Sequence, residues 1–587
     1  MKSGFSRWLL PLLIYTLLFG VFSWPLAAHF TTGFLGFAGH DANQYVWNAY
    51  NFRQALAAGK NPFFTDLLLY PQGSSLIMHT YTPIIGLLNS VLNQPILAVN
   101  VALLLSFVLS GVGAYRLCGR WVANPVLCLL AGVVFAFSPY KLAHLPEHYH
   151  LLLTAAVPFY AWAFLEAFQF ETGRLGLRVR RWSQVAVCAA LGFVTLLSDY
   201  YTLFGLLYFS LGYALYYWCG LGQINWRRPR PWLILVLTLV VCHIGSRLLG
   251  LSGVPDNAGF WWGGDLAGYL LPPTTSRWLS TAFTERLLQN SPIFNMPGSV
   301  ENVMFLGYCL PLLLLLTLLL RRPKAGLAEN QPSDWAPLPW LLLLFFMLTL
   351  PAVRVFGKEI LRLPTGLVHY LPFLNNIRCP TRHVSYVALL LPLVLFARLD
   401  PWLRARLQPA GRWAFSGALL GLVLIEFQPA PAPLMDSTAI PRAYREVAQL
   451  PGDVLFPIPF GLLDGYQTKG VMNSDELLYQ TIHHKKIPGA YISRIPQATF
   501  HQFDQDPVMH ALLQRQTFPD SALVAVPTAA QVSAFLRRYQ PAAFLVHPDY
   551  RNQPVHTLLR ELLRGRGYQE REVDGYVLLH QPTPAPH

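Results

Sequence analysis

The stretch Trp8-Leu-Leu-Pro-Leu-Leu-Ile-Tyr-Thr-Leu-Leu-Phe-Gly-Val-Phe-Ser-Trp-Pro-Leu-Ala-Ala28 contains no charged residue. A helix of about 20 apolar residues matches the hydrocarbon thickness of a bilayer, so this run predicts a membrane span. Lys2 and Arg7 precede it, as they would in a signal peptide. No convincing small-x-small cleavage site follows, and ten more apolar runs do, which favours an uncleaved first span. Those runs centre on 96–116, 122–138, 148–170, 183–198, 200–219, 232–249, 303–320, 338–353, 383–399 and 413–429. The expected fold class is an all-α polytopic membrane protein with about 11 transmembrane helices.

Composition agrees with this reading. Of 587 residues, 53% are apolar and only 12% charged, about half the charged share of a soluble domain. Aromatic residues reach 14%. Disorder and a small disulfide scaffold are thereby excluded. Cys118, Cys128, Cys188, Cys219, Cys242, Cys309 and Cys379 form no CxxC pair, so neither a paired-cysteine zinc site nor a redox motif is encoded. The net charge of +14 sits between the apolar runs, where it orients the chain; no nucleic-acid partner is expected.

Lys and Arg resist translocation, so cytoplasmic loops should carry them. With the N-terminus in the cytoplasm, the inner connections hold Lys2/Arg7, Arg116/Arg120, Arg174/Arg178/Arg180/Arg181, Arg227/Arg228/Arg230, Arg321/Arg322/Lys324 and Arg398/Arg404/Arg406/Arg412. The outer connections hold far fewer over about twice the length. Three of those are long: 29–82, 250–302 and 354–382. The odd span count places everything after about residue 430 outside the cytoplasmic membrane. There, beyond the stiff linker Pro429-Ala-Pro-Ala-Pro433, short apolar strands at 454–459, 542–547 and 576–580 alternate with helical stretches near 528–539 and 553–566. This rhythm predicts a small α/β extracytoplasmic domain over 430–587, following a membrane domain over 1–429.

Sites tend to lie on loops held by a rigid scaffold, and the first outer loop is the richest. It reads Gly39-His-Asp41-Ala-Asn-Gln-Tyr-Val-Trp47-Asn-Ala-Tyr50-Asn-Phe-Arg53, then Asn61-Pro-Phe-Phe-Thr-Asp66 and Tyr70-Pro-Gln-Gly73. Asp41 opens a helix that Gly59 ends, and its apolar and aromatic positions suggest a face lying on the membrane surface. Asp41 is read either as a simple N-cap or as a functional acid whose anion the helix dipole favours.

Together with Ser138-Pro-Tyr-Lys-Leu-Ala-His144, Ser198-Asp-Tyr-Tyr201, Phe305-Leu-Gly-Tyr308 after Glu301, and Arg378-Cys-Pro-Thr-Arg382, these elements resemble the GT-C superfamily. Its members are integral membrane glycosyltransferases that use sugars carried on polyprenyl phosphate, and the likeness is to a poorly characterised bacterial branch. The resemblance implies a cytoplasmic (inner) membrane location, a polyprenyl-phosphate sugar donor, the lipid bilayer as a partner and a cell-envelope acceptor. Many relatives place two adjacent acids in the first loop, where this chain has His40-Asp41.

The residues suit such chemistry. Departing phosphate needs no proton, so one base for the acceptor hydroxyl and positive charge for the phosphate suffice. Asp41 is the expected catalytic base, acting in a direct, inverting displacement. Arg378 and Arg382 lie four apart and would share a helical face, with guanidinium forks suited to phosphate; general headgroup binding is the alternative. Tyr140, His144, Glu147 and His148 form a second cluster. His144 and His148 at i, i+4, with Glu147, suggest a divalent metal ion as one candidate cofactor, although Pro146 interrupts the helix; hydrogen bonding to acceptor or carrier is the other reading. Asp199 and Tyr200 at a membrane edge suggest a polar cavity. Asp265 and Glu301 lie in a long outer loop beside Trp261-Trp262, whose rings suit a sugar, a prenyl tail or the interfacial belt. In the last segment, His483-His484-Lys485-Lys486 reads as a solvated charged turn, and Asp475, Glu476, Asp504 and Asp506 as surface acids.

Two other functions stay open. One is a transporter or flippase of a lipid-linked glycan; the other is a non-catalytic assembly protein of the envelope.

Overall fold

The structure, a computed structural model, describes residues 2–226, 228–248, 263–290, 292–294, 296, 298, 300–319, 333–371, 374, 377–520 and 525–582. Arg227, Trp261, Trp262, Arg321, Arg322 and Lys324 lie outside the described residues. The chain divides into two compact units, one of Met1–Ala28 with Val101–Ala432, the other of His29–Asn100 with Pro433–His587.

Every one of the apolar runs contains a helix. Among the described residues, four are long and apolar enough to cross a membrane: Pro95–Cys118, Pro125–His144, Pro380–Arg406 and Pro409–Phe427. Shorter apolar helices include Trp182–Leu196, Cys309–Leu319 and Leu338–Leu348. Local chemistry sets the boundaries. Asn124 Oδ1 accepts from the backbone N–H of Val126 at 3.0 Å, and Pro125 takes the first helical position, where its missing N–H costs nothing.

Helix Val384–Arg406 is the centre of the first unit. Its first four turns are apolar on all sides and buried, as such a stretch must be, and it packs against Pro125–Ala136, Cys309–Leu319 and Leu338–Leu348. Helix Tyr200–Trp218 approaches it at Gly205, where a Cβ would meet the Tyr386 ring at 2.0 Å. The Tyr386 hydroxyl donates to the Thr202 carbonyl at 2.5 Å. This close contact fixes the Asp199–Tyr201 turn.

In the second unit, helix Ala42–Ala57 is buried along almost its whole first three turns. It packs on Pro83–Leu92 and on Asp475–His483. Trp47 Nε1 donates to Gln480 Oε1 at 2.5 Å, Asn43 Nδ2 to Asp475 Oδ1 at 2.6 Å, and Tyr50 OH lies 2.7 Å from His484 Nδ1. The expectation that this helix lies on the membrane surface is therefore corrected: its rings and amides are covered by protein. Strand Gly33–Leu35 also pairs antiparallel with Leu434–Asp436.

Residues 454–580 build a four-stranded sheet in the order Gln569–Val573, Tyr576–His580, Pro541–Val546, Val454–Ile458, the last pair parallel. Helices Ala529–Tyr539 and Pro554–Leu563 occur where the apolar spacing places them. A smaller sheet joins Thr468–Gly470, Gly461–Leu463 and Ala490–Tyr491.

The charged string 475–486 is not solvated as expected. His483 and Lys485 are buried, and Lys485 Nζ donates to the Leu450 and Gly452 carbonyls at 2.7 and 2.6 Å. Asp475 is buried under helix Ala42–Ala57. Glu476 accepts from the Tyr444 hydroxyl at 2.7 Å, and its second oxygen is buried without a hydrogen bond among the described residues.

Burial and the nearby Asp475 push the Glu476 carboxyl up to about 7 from an ordinary 4.5, against the Tyr444 bond. The folded state thus keeps a proton that the unfolded chain releases near pH 4.5. Stability should fall as pH rises between those two values and flatten above the higher one. Glu476→Gln is expected to remove that slope, adding about 3 kcal/mol at pH 8 and under about 1 kcal/mol at pH 5. Thermal unfolding followed by intrinsic fluorescence across this range measures it.

Candidate functional site: a buried histidine, glutamate and arginine cluster

Ser138 and Pro139 start a short helix, Pro139–His144, with the Ser138 hydroxyl as its cap. Pro146 ends it, yet the His148 backbone N–H still reaches the His144 carbonyl at 2.8 Å. The two imidazoles consequently face each other, ring centroids 5.3 Å apart. His144 Nδ1 lies 2.8 Å from the Tyr140 carbonyl oxygen. A carbonyl only accepts, so Nδ1 carries the hydrogen and Nε2 presents a lone pair.

Glu301 stands beside both imidazoles. His144 Nε2 is 3.8 Å from Glu301 Oε2, and His148 Nε2 is 3.9 Å from Oε1. The acid beside the histidines is Glu301 from a distant loop; Glu147, the neighbour expected from spacing, is half-buried and outside this triangle. Arg382 grips the same carboxylate with Nε, 3.1 Å from Oε2, and with Nη2 on Oε1. Burial alone would raise the Glu301 carboxyl, but the Arg382 guanidinium outweighs it and holds the group well below the usual carboxylate range. Glu301 is ionised.

Arg382 lies over the Tyr201 ring, 4.6 Å from its centroid. The Tyr201 hydroxyl accepts from the backbone N–H of Arg378 and of Cys379 at 3.0 and 3.4 Å, fixing the chain ahead of Pro380. Asp199 caps helix Tyr200–Trp218, accepting from the Thr202 N–H and hydroxyl at 2.6 and 2.7 Å. Burial raises its carboxyl, and those two bonds pull it part of the way back. His150 Nε2 is 4.0 Å from Asp199 Oδ1, and its ring is 6.0 Å from that of His148.

Tyr140, His144, His148, Asp199, Glu301 and Arg382 thus meet, from four separate stretches of sequence. Tyr201 and His150 join them. Tyr200, nominated beside Tyr201, is 45% exposed. Arg378 is half-buried and sits in non-helical backbone before Pro380, so the shared helical face expected for Arg378 and Arg382 does not form. Asp265 is buried elsewhere in the unit. It accepts from the N–H groups of Ala267, Phe356 and Gly357 at 2.8, 3.1 and 2.8 Å, pinning the turn of hairpin 352–362, where Phe356 and Gly357 have positive φ. Lys141 Nζ meets the Thr154 hydroxyl and the Phe135 ring.

Asp41 belongs to the second unit. It stands at the N-terminus of helix Ala42–Ala57 but makes no side-chain capping bond. Its Oδ1 accepts instead from the Tyr491 hydroxyl. Nearby, His79 lies 3.2 Å from the Ser493 hydroxyl and 3.1 Å from Asn48 Oδ1.

A family described as "Domain of unknown function (DUF6311)" matches residues 8–425, well over half the chain. The chain belongs to this family. No curated protein matches this DUF6311 chain. Among solved structures it is similar to the oligosaccharyltransferase of Archaeoglobus fulgidus in the apo form, with 11% identity and a TM-score of 0.44 over 97% of this chain and 73% of that one. The archaeal oligosaccharyltransferase AglB of the same organism, in complex with an inhibitory peptide and a dolichol-phosphate, gives 11% and 0.43 over 94% and 70%. The form tethered with an acceptor peptide gives 11% and 0.38 over 99% and 74%.

Proposed function

We propose that this chain is an integral membrane glycosyltransferase. It moves a sugar from a polyprenyl-phosphate carrier to a glycan, lipid or protein of the cell envelope, on the outer face of the cytoplasmic membrane. About eleven spans within 1–429 would carry the site, with the N-terminus inside and residues 430–587 outside as an α/β domain. One observation carries the reading: six nominated polar residues gather in one buried cluster, among helices apolar enough for a bilayer. Ionisable groups in such surroundings are costly and are kept for function.

In the reaction, an acceptor hydroxyl oxygen attacks the anomeric carbon as the bond from that carbon to the phosphate oxygen breaks. Asp41 takes the hydroxyl proton, the phosphate leaves as an anion on its lipid, and the anomeric centre inverts. Arg378, Arg382 and the histidines supply positive and donor groups for phosphate, while Tyr140 and Asp199 hold sugar hydroxyls.

The test is reconstitution of the purified chain in liposomes with synthetic polyprenyl-phosphate hexoses and pentoses and an envelope extract. Release of free polyprenyl phosphate that depends on both protein and extract is expected from at least one donor. No release from any of them contradicts the reading.

A further inference from the structure

We propose that His144, His148 and Glu301 form a binding site for one zinc ion. The three donor atoms lie within 4.8 Å of one another. Two ligands of one tetrahedral zinc, at 2.0–2.1 Å each, stand about 3.4 Å apart. His144 Nε2 stands 3.8 Å from Oε2 and His148 Nε2 3.9 Å from Oε1, so rotation of the three side chains has to draw one carboxylate oxygen and the two ring nitrogens together from within 4.8 Å.

Three further observations point the same way. His144 Nε2 is buried and has no hydrogen-bond partner among the described residues. A buried lone pair left unmatched costs free energy, and a metal ion removes that cost. The bond from His144 Nδ1 to the Tyr140 carbonyl is the outer contact by which metal-bound histidines are held in one tautomer and orientation. The Arg382 fork on Glu301 does the same for the carboxylate.

Two histidines and one glutamate leave a fourth position open, as in sites where zinc acts on a substrate. Charge gives that position a purpose. Arg382 shares its charge with Glu301, so a dication beside the pair strengthens the positive charge that the arginines offer a phosphate. A phosphate oxygen in the fourth position rests on the glycosyltransferase reading, whereas the zinc site itself does not.

The test uses the full-length protein, stripped with a chelator, dialysed against zinc and analysed by elemental mass spectrometry. Cobalt substitution and its visible spectrum report the coordination geometry. About one zinc per chain is expected, with a tetrahedral cobalt spectrum and a higher unfolding temperature on loading. His144→Ala, His148→Ala and Glu301→Gln should each lose most of the metal, and Glu147→Gln should keep it. Wild-type protein that holds no stoichiometric zinc overturns the proposal, whatever the variants do. So does zinc retained in folded His144→Ala and Glu301→Gln. Zinc bound without sugar transfer would leave this site standing and defeat the glycosyltransferase reading; transfer by zinc-free protein would do the reverse.

Discussion

Asp41→Asn is expected to slow sugar transfer by about 10²–10⁴-fold, the usual contribution of a positioned general base, while the protein still folds. The amide keeps the shape of the carboxylate and still accepts the hydrogen bond from Tyr491, but it cannot take a proton. Because Asp41 makes no side-chain capping bond to helix Ala42–Ala57, the substitution removes no cap. Had the residue been a simple N-cap, loss of the side-chain bond would show as about 1 kcal/mol of stability, and transfer would survive. Tyr491→Phe removes one hydrogen bond and is expected to cost far less than Asp41→Asn. The assay is initial rate of transfer in liposomes, with unfolding temperature and yield measured on the same samples.

Arg382→Met is expected to lower stability by about 3–5 kcal/mol, because it leaves the Glu301 carboxylate buried without its partner. Glu301 is 8% exposed, and both its oxygens are held by the guanidinium. Glu301→Gln should be costly too, since it strands the arginine. The double variant Arg382→Met with Glu301→Gln should be more stable than the sum of the single losses allows, as buried charge pairs show coupling. Unfolding temperatures of the four proteins in one detergent measure this. Strictly additive losses would show that the pair is not the unit described.

Much of this site is legible in the chain, and the limits have physical reasons. The spacing of His144 and His148 brings the rings together even across Pro146, because the His148 N–H keeps a helical bond to His144. The acid that faces them, Glu301, was itself nominated, but nothing local ties it to the histidines; proximity in sequence favoured Glu147. Asp199-Tyr200-Tyr201 could not reveal which ring turns inward, since adjacent side chains on a helix point about 100° apart. Tyr201 faces Arg382, and Tyr200 faces outward.

Elsewhere a legible signal was passed over. Asp574-Gly575, both at positive φ, form the two-residue turn that joins strands Gln569–Val573 and Tyr576–His580, a strong hairpin signature. The first of those strands alternates charged residues and escapes an apolar search. The string Asp475-Glu476 through Lys486 misleads for the opposite reason. Asp475 and His484 meet a helix more than 400 positions earlier, and such partners leave no mark on the local pattern.

The anomeric configuration of the product tests the central claim most directly. Sugar labelled at the anomeric carbon, supplied as a polyprenyl phosphate of known configuration, would be followed by nuclear magnetic resonance after transfer by the reconstituted protein. A single displacement with one base predicts a product of inverted configuration, absent when Asp41→Asn protein is used. A product of retained configuration, or equal transfer by that variant, would contradict it.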